Sequence, residues 1–271
     1  MKSEVSMRKA YTQVESVISP GFTLVELLIV LATIAVLISI LIPTLKKAKN
    51  QARITVCQSN LHQWGIAFSA YTEQNNNRFF KGPLESSWDD WVEIMEPYTA
   101  SRGEINCCPF ATRTHAEGGH GIYAAWSDSE GDYGSYGLNA WICDSGDDEL
   151  VFKNEAYWNR PDVPEAYTIP VLLDSLNTAG WPDDSSLPPQ TDGQPPQQPT
   201  LAEQMKNFCI NRHQNGMISC LFMDASGREV GLKELWKLKW NRDFNINGHW
   251  TEAGGITSDD WPEWMRGFKE Y

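Results

Sequence analysis

The chain has 271 residues, 41% of them hydrophobic, with 22 Lys and Arg against 35 Asp and Glu and a net charge of −13. That length suits an anchor and one core-bearing domain. Residues 74–271 hold 15 of the basic and 31 of the acidic residues, a balance of −16, and this excludes nucleic acid or anionic lipid as a ligand, since those need basic patches.

In chain order, residues 1–21 form a short polar segment in which Lys2, Arg8 and Lys9 stand against Glu4 and Glu15. The character changes at Gly21. From Phe22 to Ile42 runs an apolar segment of 21 residues, roughly 31 Å long as a helix and close to a hydrocarbon core of about 30 Å. A removable secretory signal would have a shorter core and a small-x-small cleavage site, and neither is present around Ile42. The one acid in the span is Glu26. A lone carboxylate at the centre of a span costs about 2.5 to 3.5 kcal/mol, so a partner is expected for it.

The motif "GFTLVE", with Gly21 closing a charged leader, Glu26 four residues beyond Phe22 and Pro43 ending the apolar run, closely resembles the processing site of type IV prepilins and type II secretion pseudopilins. The resemblance implies cleavage by a prepilin peptidase between Gly21 and Phe22 and N-methylation of Phe22. It also implies that Glu26 pairs with the Phe22 amine of a neighbouring subunit as helices bundle into a filament. Within one chain that amine lies at the i,i+4 spacing where helix side chains meet.

Beyond Pro43, Leu45, Ala48, Ala52, Val56, Cys57, Leu61, Trp64, Phe68 and Tyr71 recur at three- and four-residue spacing, which predicts a continuing helix to about Glu73. From Phe22 it would run on the order of 75 Å, with Pro43 expected to kink it. Lys46, Lys47, Lys49 and Arg53 follow the span and outnumber the leader's basic residues, so the positive-inside rule alone would place the head in the cytoplasm. The prepilin-like motif and the six cysteines outweigh that rule and place the head in the periplasm or outside the cell.

The remainder, residues 74–271, reads as one acidic head with short strands in "YGSYGLNAWICD", "YTIPVLLDS", "NFCINR" and "MISCLFMD", giving an α+β, pilin-like fold in which a long helix packs on an antiparallel sheet. "HQNG" between the last two predicts a hairpin. "PDDSSLPPQTDGQPPQQP" at 182–199 has no apolar periodicity and predicts an exposed loop, extended or disordered, or alternatively a Pro-rich recognition ligand.

Two further stretches carry the resemblance. "CQSNLHQWGIAFSAYTEQNNNRFF" and "NRHQNGMISCLFMDASGREVGLKELWKLKW" resemble the stem and the C-terminal part of a bacterial prepilin-like subgroup with a His-spacer-Asp-Gly motif. Here ten residues separate His213 from Asp224 and Ala225 replaces the glycine, so Gly227 is expected to take the positive-φ position of the turn.

A four-residue loop 213–216 sets Cys209 opposite Cys220, within disulfide reach, whereas a two-residue Asn215-Gly216 turn puts them on a diagonal of about 7 to 8 Å, too far. Cys107 or Cys108 with Cys143 is a second pairing. Asp144, Asp147, Asp148 and Asp224 offer hard oxygen ligands for calcium, which the resemblance implies since related pseudopilins bind it, although the spacing matches no EF-hand and solvated acidic turns are the favoured explanation. Ser219 or Cys220 with His213 and Asp224 could be arranged as a catalytic set. No "GxSxG", "HExxH" or phosphate-loop motif supports an enzyme or a cofactor. Twelve tryptophans admit a sugar-stacking surface, but Trp261, Trp264 and Phe268 at helical spacing read first as core.

The functional expectation is a non-enzymatic pseudopilin or pilin-like subunit, single-pass in a bacterial inner membrane. Its partners would be its own copies, a prepilin peptidase and a secretion or pilus assembly machine. The alternative is a prepilin-anchored binding module for carbohydrate or another extracellular partner, with an anchored hydrolase third.

Overall fold

A computed structural model of the chain describes residues 21–82, 91–99, 105–127, 131–145, 154–194 and 200–271. One helix dominates the element order. α1 (Leu24–Gln74) is continuous over 51 residues with Pro43 inside it. Its first half is the apolar run, whose side chains from Phe22 to Leu45 are exposed, and it is long and apolar enough to cross a membrane. The helix closes at the asparagine run. Asn76 and Asn77 take positive φ, and the Asn77 N–H donates to the Thr72 carbonyl at 2.8 Å, a left-handed termination for which asparagine is suited.

The remaining elements are short: α2 (Trp91–Met95), β1 (Arg113–Thr114), β2 (Ala124–Ser127), β3 (Tyr133–Gly134), β4 (Tyr136–Asn139), β5 (Pro170–Asp174), β6 (Ala179–Gly180), β7 (Met217–Phe222) and β8 (Gly227–Gly231). A five-stranded sheet has the order β6-β4-β5-β7-β8, and β1-β2-β3 forms a small second sheet. In the larger sheet β4, β5, β7 and β8 are successively antiparallel and β6 lies parallel to β4, so the architecture is the α+β, pilin-like one expected.

The contacts divide the chain into two compact units, Met1–Ala48 and Lys49–Tyr271. Within the second unit α1 supplies a face of the core. Ile54, Cys57, Leu61, Trp64 and Phe68 are buried, three or four residues apart as an amphipathic helix requires, whereas Val56, expected on this face, is exposed. The helix comes close to the sheet. A Cβ built on Gly65 would lie 3.0 Å from Leu221 Cδ1 and 3.3 Å from the Ala225 Cβ, so Gly65 lets β7 and the turn after it approach the backbone.

Three local expectations are corrected. The partner of β7 across a tight turn is β8, with Cys220 opposite Arg228 and Leu221 opposite Gly227, and the "NFCINR" segment is not a strand but the end of a 3-10 turn (Leu201–Asn207) and the coil after it. The "HQNG" stretch is nevertheless a tight reversal, with Gln214, Asn215 and Gly216 all at positive φ and the Gly216 N–H donating to Asn211 Oδ1. In the β7–β8 turn the positive φ falls on Ala225 (φ 63), not on Gly227, because the Asp224 carboxylate accepts from the Ser226 N–H and hydroxyl and closes the turn around the alanine.

The third correction is the 182–194 segment, where Asp184, Ser185, Leu187 and residues 190–192 are exposed as expected but the backbone is held against the core. Asp183 and Ser186 are buried. Indole N–H groups grip its backbone: Trp141 donates to Pro182, Trp236 to Ser186 and Trp264 to Pro189. This also explains much of the tryptophan content, since a head of short strands leaves many loop carbonyls under its core, and an indole covers apolar area while donating one hydrogen bond. Trp64, Trp91 and Trp126 do the same for the carbonyls of Ile105, Thr178 and Tyr136. Among the described residues every tryptophan is buried or half-buried; Trp261 is buried, and Trp264 and Phe268 pack against the core. Residues 195–199 lie outside the described segments.

Candidate functional site

Two places bear on function, and the first is the start of α1. The residues "TLVE" form a capping box. The Thr23 hydroxyl accepts from the Glu26 N–H at 3.2 Å, and Glu26 Oε2 accepts from the Thr23 N–H at 2.9 Å and the Thr23 hydroxyl at 2.7 Å. Glu26 therefore has a partner within its own chain, three residues back, which the apolar context obscured although the Thr-x-x-Glu spacing was legible. A carboxylate has about four acceptor sites, so the cap leaves room for a further donor. Gly21 and Phe22 precede the helix in extended or coil backbone, and Phe22 is exposed.

The second place is a buried polar cluster in the head. Arg212 is fully buried and forks into the ends of three strands. Its Nε donates to the Ile122 carbonyl at 2.7 Å, Nη1 to the Ser135 carbonyl and to Asp174 Oδ1 (3.2 Å), and Nη2 to the carbonyls of Ser175 (2.9 Å) and Ala124 (3.4 Å). Asp174, at the end of β5, also accepts from the Ser219 N–H at 2.8 Å and pairs through Oδ2 with His213 Nε2 at 3.1 Å. His213 Nδ1 faces Ser219 Oγ at 3.4 Å and Glu229 Oε1 at 3.7 Å. On its other side His213 Nε2 lies 3.3 Å from Cys108 Sγ. Cys108 is joined to Cys57 of α1 in a disulfide spanning 51 residues of sequence, with Cα atoms 5.0 Å apart.

Burial opposes charge on both central groups, yet each is held charged by the other. For Asp174, burial pushes the carboxyl up, but His213, Arg212 and the Ser219 N–H bring it below the usual range. For His213, burial pulls the imidazole down, and Asp174 and Glu229 more than reverse this, raising it to about 9. An imidazolium with a raised pKa contributes stability fully present below its unfolded value near 6.5 and lost as pH rises through 9. Unfolding free energy should therefore fall between pH 6.5 and 8.5 by on the order of 2–3 kcal/mol, and His213→Asn should flatten that slope. A denaturation series across this window checks it; a flat wild-type profile would show that His213 is not held protonated.

The Ser219–His213–Asp174 arrangement resembles a catalytic triad, with Asp174 and not Asp224 as the acid. Its chemistry differs. Ser219 is wholly buried, and a protonated His213 cannot take the Ser219 proton, so the arrangement holds charge in place rather than activating a nucleophile.

The other sequence candidates lie apart from this cluster. Cys209 and Cys220 are free and buried; Cys209 sits in coil with its sulfur 3.9 Å from the Met265 sulfur, and Cys220 stands between Leu173 and Arg228 in the sheet, so the bridge expected from a 207–222 hairpin is replaced by Cys57–Cys108. Cys107 and Cys143 are also free, their thiols pushed up by burial to about 11 and about 12. Of the calcium candidates, Asp144 is ion-paired with Arg78 at 2.8 Å and Asp224 closes the β7–β8 turn, while Asp147 and Asp148 lie outside the described residues. Cys57, Asp174 and Arg212 carry no motif that marks them in the sequence, where Cys57 reads as one position of the helix face.

No model of a known protein family matches the chain, and no solved structure matches it. Among curated proteins it is similar to the type IV wide pilus major component PilA4 of Thermus thermophilus, 42% identical over 59 residues. The matched stretch is 22% of this chain and 44% of that protein, so the chain spans less than half the length of this relative.

Proposed function

We propose that the chain is a structural subunit of a type IV pilin-like filament, a type II secretion pseudopilus or a related surface fibre, anchored by its N-terminal helix until assembly. The observation that carries this reading is α1 itself: one uninterrupted helix whose first half is apolar and exposed and whose second half supplies one face of the core. Such a helix offers neighbouring copies a surface for van der Waals packing in the membrane and in a fibre. Similarity to a pilus component supports it. The long-helix and sheet architecture does so as well.

In this reading a prepilin peptidase removes residues 1–21, Phe22 becomes the N-terminus, and its amine meets Glu26 of an adjacent subunit. The head is then presented in the periplasm or outside the cell.

Co-expression with a prepilin peptidase is the test. Mass spectrometry should show loss of the first 21 residues and an N-terminal Phe22, and Gly21→Val should block the cut, because a branched side chain crowds the scissile position. Normal processing of Gly21→Val removes the basis of the proposal. Electron microscopy of cells that also carry an assembly ATPase then reads filament formation directly.

A further inference from the structure

The Cys57–Cys108 disulfide is packed against an imidazole that such a bond does not need. Cys57 and Cys108 are fully buried, as is the His213 side chain, and the ligand-capable atoms of the three lie within 4.8 Å of one another. His213 Nε2 faces Cys108 Sγ and Asp174 Oδ2 together, at 3.3 and 3.1 Å. We propose that the reduced form of this cluster is a binding site for a zinc-class divalent cation, ligated by Cys57 Sγ, Cys108 Sγ and His213 Nε2, the fourth position being left to a further donor.

The donor set fits that class of ion. Two thiolates and an imidazole are three ligands of the kind a tetrahedral zinc site takes, with Zn–S about 2.3 Å and Zn–N about 2.0–2.1 Å. Spreading the sulfurs from bonding distance to the roughly 3.8 Å edge of such a tetrahedron is a small movement. Outer partners are already in place. Ser219 Oγ and Glu229 Oε1 face His213 Nδ1, so Nδ1 keeps its proton and Nε2 is presented to the metal, as in carboxylate-oriented metal histidines. Asp174 is held by the Ser219 N–H and Arg212.

Charge closes as well: two thiolates and Asp174 sum to −3, and the cation with Arg212 to +3, an outcome that suits a dry interior.

The chemistry balances with a reductant of the dithiol or phosphine class. Two electrons and two protons convert the disulfide to two thiols, the reductant ending as a disulfide or a phosphine oxide. Metal uptake then displaces both thiol protons and the proton on His213 Nε2. The same two points, α1 at residue 57 and the 105–111 segment at residue 108, are joined in either state: by a covalent bond when oxidised and by the metal when reduced. The stem helix thus stays fastened to the 105–111 segment whether the cysteine pair is oxidised or reduced.

Full-length protein in detergent, reduced with a phosphine and titrated with cobalt(II), should bind one ion per chain, giving thiolate charge-transfer absorption and the intense visible bands of a tetrahedral site. Zinc should displace it. Native mass spectrometry should find one zinc on the reduced chain and none on the disulfide form, and His213→Gln should lower zinc affinity at least about tenfold while Cys209→Ser leaves it unchanged. No metal on the reduced chain overturns the assignment. So does equal uptake by the oxidised form, or a cobalt spectrum that survives Cys57→Ser with Cys108→Ser; the first two measurements use wild-type protein and do not depend on a variant folding.

Discussion

Asp174→Ala should cost the head about 3–5 kcal/mol, enough to consume much of the 5–15 kcal/mol that typically separates folded from unfolded domains. The reason is what the alanine leaves behind. Arg212 and His213 have no exposed side-chain surface, and Asp174 is the carboxylate both of them touch, at 3.2 and 3.1 Å. Without it the guanidinium keeps its carbonyl acceptors but no counter-charge, the imidazole reverts toward neutral under burial, and the Ser219 N–H is orphaned. Urea unfolding monitored by tryptophan fluorescence reads the loss. Asp174→Asn, which keeps the volume and one acceptor, should fall between alanine and wild type. An alanine variant within 1 kcal/mol of wild type, on the order of an ordinary surface change, would mean that the cluster relaxes or hydrates and that its charges are not the constraint described.

Glu26→Val should be processed at Gly21 as efficiently as wild type yet form no filaments. Valine removes a carboxylate that costs about 2.5–3.5 kcal/mol in a span, so insertion does not suffer. It also removes the acceptor for the Thr23 N–H and hydroxyl, a cap worth about 1 kcal/mol, a local effect in a helix of 51 residues. The large effect is expected between subunits, where the amine of Phe22 loses its counter-charge. Thr23→Ala separates the two roles, since it breaks the capping box and leaves the carboxylate. If Glu26→Val forms filaments as wild type does, the register role is wrong; if Thr23→Ala abolishes them as Glu26→Val does, the loss of the cap and not of register between copies explains the effect.

The helix was legible because its determinants are local. An apolar run of spanning length, three- and four-residue spacing beyond Pro43 and an asparagine stop all lie within the segment they specify, and α1 ends at Gln74, one residue beyond the expected limit. The capping box is equally local, although the apolar surroundings point first to Glu26 as a charge in a span and to the Phe22 amine as its partner. Strand existence was also legible in β4, β5 and β7, where β-branched, aromatic or leucine residues cluster between turn residues.

Pairing and partnership were not legible from local pattern. β7 chose β8 over the 207–212 segment because the Asp224–Ser226 turn reverses the chain within three residues, while the stretch before His213 was taken by the core, Phe208, Cys209 and Ile210 all being buried in coil. Cys57 found Cys108 across 51 residues, and His213 found Asp174 rather than Asp224. Each of these contacts is made by elements distant in the chain, whose approach depends on how side-chain volumes fill the space between α1 and the sheet. By itself the sequence determined an apolar helix with a prepilin-like start and an acidic head of short strands, since periodicity, capping and composition act over a few residues. The tertiary structure alone decided which cysteines bond, which carboxylate faces the histidine and which loops the tryptophans grip, because burying a charge or an N–H forces it onto whatever partner the packing brings within reach.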